Sequence, residues 1–123
     1  MGNLTTHILD ISAGKPAANV RIDLHRLSAQ SSETGQRAEK IASMITNADG
    51  RCDSPILGAD DFSTGQYELA FHIGDYFDLM GVALPSPKFV DVAVVRFGIA
   101  DKDAHYHVPL LVSPYGYSTY RGS

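Results

Sequence analysis

A chain of 123 residues with a formal net charge of −4 is long enough to bury the core of one domain, and we predict a single domain over residues 1–123. Its Lys and Arg residues form no basic run, which excludes an ordinary nucleic-acid-binding surface. The single cysteine excludes an intramolecular disulfide framework. No apolar run reaches the roughly 18 residues of a membrane span and no export signal is visible, so we expect a cytoplasmic protein.

Two stretches in the first half of the chain have the pattern of half-buried strands. A third, 37–46, has apolar residues at both helical and strand spacing, and the hairpin-like turn after it favours a strand. We predict strands over Leu4–Asp10, Val20–Leu27 and Arg37–Thr46. Turn residues at 12–16 separate the first two, and a polar loop at 28–35 separates the second from the third. The sequence 47–50, Asn-Ala-Asp-Gly, has the composition of a hairpin turn and leads directly into Arg51.

Two polar residues of this half are weak candidates by themselves. His7 shares a strand face with Thr5 and Leu9, and an isolated histidine there is usually a half-exposed polar residue. Arg51 follows a turn, where a solvated loop arginine is the ordinary interpretation.

The second half adds further strands and one helix. Asp53–Thr64 contains proline, glycine and three aspartates, which predicts a loop with at most a short strand. Alternation predicts strands over Tyr67–Ile73 and Phe89–Ile99. Between them, Gly74–Gly81 carries large apolar residues at helical spacing and ends in glycine, so we predict one short helix there.

Residues 105–123 predict two strands joined by a Ser-Pro turn. In the first of them, successive side chains alternate between a face with His105, His107, Pro109 and Leu111 and a face with Tyr106, Val108, Leu110 and Val112. The second of these faces is apolar and should pack in the core. Pro109 has no amide hydrogen, which predicts an edge or a bulge nearby. The closing strand would place Tyr115, Tyr117, Thr119 and Arg121 on one face.

These elements together predict an all-β fold, an antiparallel β-sandwich of seven or eight short strands with one short helix.

The five histidines have no Cys, Asp and Glu partners at zinc-like spacing. His105 and His107, two residues apart on a strand, could ligate a metal only if a third ligand folded nearby. We therefore expect no metal and no cofactor.

Several stretches of this sequence resemble those of a known family. It is similar to the transthyretin-like family and, within it, to the 5-hydroxyisourate hydrolases of urate breakdown. The matching stretches are Leu4–Asp10, Gly14–Ala17, Thr46–Arg51, Phe97–Ile99, His105–Leu111 and the ending Tyr120–Ser123. The ending is the most specific of them, since hormone carriers of the family lack it and also lack a histidine at the position of His7.

The resemblance implies a transthyretin-type sandwich of two four-stranded sheets, assembled as a homotetramer with active sites where dimers face each other. It implies catalytic roles for His7, Arg51 and His107, and a supporting role at most for His105. It implies substrate binding by the terminal residues Tyr120, Arg121, Gly122 and Ser123.

The implied reaction is hydrolysis of 5-hydroxyisourate to 2-oxo-4-hydroxy-4-carboxy-5-ureidoimidazoline in urate (purine) degradation towards allantoin. Such a hydrolysis needs a positioned water, a base and donors for the developing oxyanion. We expect His107 to be the base and His7 to assist it or to hold its tautomer, although the two roles could be exchanged. Arg51 and Arg121 offer planar forks that fit the carbonyl and enolate edges of a urate-like ring.

Two other functions are compatible with such a fold. One is a non-catalytic transthyretin-like carrier of a small aromatic ligand, and the other is a plain sandwich domain for protein contacts, because a fold does not decide a function. The ionisable groups of the candidate site argue against a carrier, since apolar ligand sites need fewer of them.

Overall fold

The computed structural model describes residues 2–28 and 37–123 as two packed β-sheets and one α-helix. In chain order the elements are β1 (Asn3–Asp10), β2 (Lys15–Pro16), β3 (Arg21–Leu27), β4 (Ala38–Ile45), β5 (Leu57–Gly58), β6 (Gly65–Phe71), α1 (Ile73–Leu79), β7 (Ala93–Ile99), β8 (Tyr106–Ser113) and β9 (Gly116–Thr119). A single 3₁₀ turn at Ala59–Asp61 follows β5. No helix in these two ranges is long and apolar enough to cross a membrane.

The predicted β-sandwich with one short helix is confirmed, with two differences in detail. One sheet has the order β4-β3-β6-β7, while the other has the order β2-β1-β8-β9 and gains a fifth strand because β5 pairs with β1. The second difference is that β1 and β8 run parallel, whereas every other pair of named strands is antiparallel. Alternation along a single strand indicates neither feature, because both features depend on which strands pair.

The core lies between the two sheets and is built by the alternation along each strand. The predicted core face of β8 is confirmed, since Tyr106, Val108, Leu110 and Val112 are all buried. On β1 the buried positions are Leu4, Thr6, Ile8 and Asp10. The intervening residues of both strands therefore point to the outer face of this sheet, which is where the candidate functional residues lie.

Several predicted boundaries shift by a few residues. The strand predicted over Phe89–Ile99 begins only at Ala93, because the preceding loop turns to cover α1, where the Asp91 carbonyl accepts the Gly74 amide at 2.8 Å. The helix begins at Ile73, which shortens the strand predicted to end there. Positions 29–35 of the predicted polar loop lie outside the described residues.

The end of β1 is fixed to α1 by a buried polar contact. The Tyr76 hydroxyl donates to Oδ2 of Asp10 at 2.8 Å, and both residues are buried. The other oxygen of this carboxylate, Oδ1, accepts the backbone amides of Ser12 and Ala13. Because these donors satisfy the buried carboxylate, the turn after β1 and the helix are held to the strand that carries His7.

Candidate active site

The parallel pairing of β1 with β8 joins the two ends of the chain on one sheet face. In this register Thr5 lies opposite His107, and His7 lies opposite Pro109. The side chains of Thr5, His7 and His107 are half-buried on the outer face. Two histidines separated by one hundred positions in sequence thus become near neighbours across adjacent strands.

The Thr5 hydroxyl connects two imidazole rings. Its Oγ1 atom lies 2.8 Å from Nδ1 of His107 and 3.1 Å from Nε2 of His105. The two rings are nearly parallel, with an interplanar angle of 13° and 6.4 Å between their centroids. Because Nδ1 of His107 is engaged by Thr5, the Nε2 side of the ring is the one left to act on a ligand.

The turn at 47–50 places Arg51 beside His7. The side-chain oxygen of Asn47 accepts the amides of Asp49 and Arg51 at 2.9 and 3.2 Å, which closes the turn. Gly50 has a φ of +74° and packs against the Ile8 carbonyl so tightly that a Cβ atom would clash. Its own carbonyl accepts the Ile8 amide at 2.8 Å. As a result, Arg51 and His7 form an antiparallel bridge.

The Arg51 side chain is exposed. Within the described residues, its guanidinium makes no hydrogen bond and no ion pair with another side chain. It borders a cavity of about 180 Å³ that also contacts Thr5 and Pro55. A larger cavity of about 380 Å³ is lined by Arg26 and Asp61 among others and by neither Thr5 nor Arg51. The smaller cavity is therefore the one that borders the candidate site.

The tail after β9 returns to β8 at His107. The β8–β9 ladder runs as far as Leu110–Thr119, and it resumes in the same register where the Gly122 amide donates to the His107 carbonyl at 2.8 Å. The gap between them contains Pro109, which has no amide hydrogen to contribute. The sequence predicted an edge or a bulge near Pro109. β8 is not itself an edge strand, since it lies between β1 and β9, but its neighbour β9 ends the sheet and the ladder is interrupted beside Pro109.

Gly122 is in direct contact with the imidazole of His107. A Cβ atom at position 122 would lie 2.6 Å from Cδ2 of His107, which is closer than packed carbon atoms approach. The absence of a side chain is therefore what allows the tail to lie against the ring. Ser123 follows directly and is exposed.

Arg121 takes a different direction from the rest of the candidate set. Its guanidinium carbon lies 4.1 Å from the centroid of the Tyr106 ring, and its Nη2 atom donates to the His105 carbonyl at 3.2 Å. Tyr106 belongs to the core face, so Arg121 lies on the opposite side of the strand from His107. Tyr120 is 60% exposed and lines the same groove as Arg121. In the single chain, the structure brings together His7, Arg51, His107 and Gly122, and it does not bring Arg121 to them.

The electrostatics of the site favour neutral imidazoles. Burial lowers the pKa of His107 below its usual value of 6.5, and the positive charge of Arg51 and the neighbouring His105 and His7 lower it further. Burial and Arg51 likewise lower the pKa of His7, although the Asp49 backbone opposes the shift. Both rings are therefore mostly uncharged at neutral pH, which is the form that accepts a proton.

Among residues 2–28 and 37–123, no group of three or more His, Cys, Asp and Glu side chains is arranged to hold a metal ion. His105 and His107, the pair considered from the sequence, instead share the Thr5 hydroxyl.

Comparison with known proteins identifies the family. A model of the HIUase/Transthyretin family matches residues 4–122. The chain belongs to the HIUase/transthyretin family. The resemblance seen in the sequence is thereby confirmed. A relative from Pseudomonas aeruginosa named 5-hydroxyisourate hydrolase is 54% identical over 123 residues, which cover 100% of this chain and 93% of that protein.

Solved structures of the family have the same fold. The 5-hydroxyisourate hydrolase of Klebsiella pneumoniae is 36% identical with a TM-score of 0.78, and the match covers 100% of both chains. Sea bream transthyretin in complex with thyroxine is 29% identical with a TM-score of 0.79, over 98% of this chain and 94% of that one. An (S)-allantoin synthase is 48% identical with a TM-score of 0.88 over 99% of this chain, which spans only 44% of that protein.

Sequence reasoning missed one residue of the candidate site, Thr5. A signal for it was present, because Thr5 lies two residues before His7 and therefore shares its strand face. What it contacts could not be foreseen without the register of β1 against β8.

We predict that replacing Arg51 by Gln raises the pKa of His107, because it removes a positive charge that opposes the imidazolium. An NMR titration of the His107 ring protons measures this pKa directly. Arg21→Gln is the matched control, since Arg21 pairs with Asp23 on the other sheet, and it should leave the titration unchanged. A His107 pKa that stays constant or falls in Arg51→Gln would contradict the proximity of the two groups.

We predict that Gly122→Ala alters the surroundings of His107, because either the tail or the ring must move to accommodate the methyl group. The NMR signals of the His107 ring should shift. Gly116→Ala is the control, since a Cβ atom at Gly116 would have its nearest neighbour 4.0 Å away. Identical His107 signals in wild type and Gly122→Ala would show that the tail does not lie against the ring in solution.

Proposed function

We propose that this protein hydrolyses 5-hydroxyisourate to 2-oxo-4-hydroxy-4-carboxy-5-ureidoimidazoline, a step of urate degradation towards allantoin. The observation that carries the proposal is the group of His107, His7 and Arg51 on one face, where two neutral imidazoles adjoin a fixed positive charge. The names of relatives such as the Pseudomonas aeruginosa 5-hydroxyisourate hydrolase support the same reaction.

In the proposed mechanism, His107 is the general base. Nε2 takes a proton from a water molecule as the water oxygen attacks a ring carbonyl of the substrate. The ring C–N bond of the resulting tetrahedral intermediate then breaks, and the proton passes from Nε2 to the leaving nitrogen. The lowered pKa of His107 keeps the base unprotonated at neutral pH without making it a poor acid in the second step.

Arg51 provides the positive charge for the developing oxyanion. Its guanidinium is always protonated and presents several donors in one plane, which suits the carbonyl and enolate oxygens of an oxidised purine. His7, held beside Arg51 by the bridge between β1 and the turn, adds a donor or an acceptor at the same edge of the substrate. Among the described residues, Nδ1 of His107 is hydrogen-bonded to Thr5 and not to His7, so His7 does not hold its tautomer.

Substrate binding by Tyr120, Arg121, Gly122 and Ser123 stays a prediction. Gly122 and the adjoining Ser123 lie next to His107 in the single chain and could border the substrate there. Arg121 fastens the tail through Tyr106 and the His105 carbonyl. We propose that Tyr120 and Arg121 reach substrate only in the assembled protein. The cytoplasmic location of the protein also stays a prediction.

We also propose a homotetramer in which the histidine face of one dimer meets that of another. The outer face of β1 and β8 is open in the single chain, and a second copy would exclude water from it and strengthen the charge interactions within. Light scattering at assay concentration should give the mass of four chains of 13.3 kDa each. The mass of one chain would contradict the proposed assembly.

The reaction is tested by generating 5-hydroxyisourate with urate oxidase and following its ultraviolet absorbance. The protein should accelerate the decay, and His107→Ala should lower kcat/KM by about 10²–10⁴, the usual contribution of a general base. His25→Ala is the control, because His25 lies on β3 in the other sheet, and it should retain wild-type activity. A decay rate that the wild-type protein leaves unchanged would refute the hydrolase function.

A carrier function is the second candidate, because one structural relative is a transthyretin in complex with thyroxine. The site described above has two histidines and an arginine where an apolar ligand would gain little from ionisable groups. The same absorbance assay separates the two functions, since a carrier binds its ligand without turnover.

A further inference from the structure

The Thr5 hydroxyl constrains the protons of two histidines at once. It lies within hydrogen-bond distance of Nδ1 of His107 and of Nε2 of His105. A hydroxyl has one proton to donate and two lone pairs with which to accept. It cannot donate to both rings, so at least one imidazole must donate an N–H to Oγ1.

Three arrangements of a neutral pair satisfy both hydrogen bonds. In the first, Nδ1–H of His107 donates to Thr5, and Thr5 donates to the unprotonated Nε2 of His105. In the second, both bonds are reversed, and His107 carries its proton on Nε2. In the third, both rings donate an N–H to Oγ1. The first and third leave Nε2 of His107 free to accept a proton from water, and only the first also lets Thr5 pass a proton to His105.

We propose that Thr5 is a positioning residue that holds His107 with its proton on Nδ1 and links it to His105 as a proton relay. The proposal rests on the hydrolysis proposed above, in which Nε2 of His107 is the base. It assigns to Thr5 the tautomer control that was first considered for His7.

The proton transfers of the relay involve only the side chains of His107, Thr5 and His105. When Nε2 of His107 takes a proton from water, the Nδ1 proton passes to Oγ1 of Thr5, and the Thr5 proton passes to Nε2 of His105. His105 is then an imidazolium, and His107 is neutral with its proton on Nε2. As His107 gives this proton to the leaving nitrogen, the two transfers reverse, and all three groups return to their starting state.

The surroundings of His107 oppose a lasting positive charge on its ring. His107 is half-buried, and Arg51, His105 and His7 lie near enough to disfavour an imidazolium there. A relay that moves the proton on through Thr5 leaves the His107 ring neutral while the water is activated. His105, at the end of the relay, is exposed in the single chain, and its backbone carbonyl accepts a hydrogen bond from Arg121.

The positioning role is tested with Thr5→Val, which keeps the shape and removes the hydroxyl, and Thr5→Ser, which restores it. We expect Thr5→Val to lower kcat by about 10- to 100-fold, a large part of a general base's contribution, with KM changed less than about twofold. The acidic limb of its kcat/KM profile should move to lower pH, because the imidazolium loses the acceptor for Nδ1–H. Thr5→Ser should return kcat to within about threefold of wild type, and it should return the acidic limb of the kcat/KM profile to its wild-type pH.

Thr119→Val is the matched control. Thr119 also donates its hydroxyl to β8, at the Pro109 carbonyl and 2.7 Å away, so this variant removes a comparable bond without touching the histidines. It should keep wild-type kcat and the wild-type pH profile. Equal losses in Thr5→Val and Thr119→Val, or wild-type kcat in Thr5→Val, would overturn the positioning role.

The relay itself is tested by combining variants. If Thr5 acts through His105, His105→Phe should lower kcat, and the double variant Thr5→Val with His105→Phe should be no slower than the slower single variant. A double variant whose loss in kcat equals the product of the two single losses would overturn the relay. An inactive wild-type protein would instead refute the hydrolase function, so the two failures are distinguishable.

Discussion

The candidate site depends on the parallel pairing of β1 with β8. This pairing is the only one that brings the beginning of the described chain to its closing strands, and its register decides which side chains share the outer face. A shift by one residue would turn His107 into the core and expose Val108 in its place. The buried residues Ile8 and Leu110, which lie opposite each other in this register, therefore stabilise the site as well as the sandwich.

Two other segments are held to this strand pair by backbone contacts. The turn before Arg51 is fixed to β1 through Gly50 and Ile8, and the tail is fixed to β8 through Gly122 and His107. In both cases a glycine permits an approach that a side chain would block. The site thus consists of a rigid pair of strands with one turn and one tail attached, an arrangement that keeps its groups at fixed distances.

The charge of the site follows from the same geometry. Three ionisable side chains, His7, His107 and Arg51, are gathered on a partly desolvated face, and the arginine is the group that stays protonated at all relevant pH values. Desolvation and the arginine charge together keep the imidazoles neutral. A neutral base beside a permanent cation is the combination that water activation and oxyanion stabilisation require.

Much of this could be predicted from the sequence, for reasons that differ from residue to residue. The alternation in β8 correctly separated His107 from the core residues Tyr106 and Val108, because side-chain direction in a strand is a local property. The roles of His7 and Arg51 came from the family resemblance and not from the pattern.

The contacts that depend on strand register could not be predicted. The contact of Thr5 with His107 could be recognised only once β1 was paired with β8. For Pro109 the sequence left an edge and a bulge as alternatives, because the strands on its two sides were unknown. Arg121 was expected beside Arg51, yet its position depends on where the tail crosses the sheet, and the Tyr106 ring attracts it to the other side.

The most direct test of the central claim is the protonation state of the two ring nitrogens of His107 in the wild-type protein. Nitrogen-15 NMR of the imidazole, recorded above the pKa of His107, distinguishes a protonated from an unprotonated ring nitrogen. We predict a proton on Nδ1, donated to Thr5, and none on Nε2. A proton on Nε2 would contradict the claim, because His107 could then not accept a proton from water.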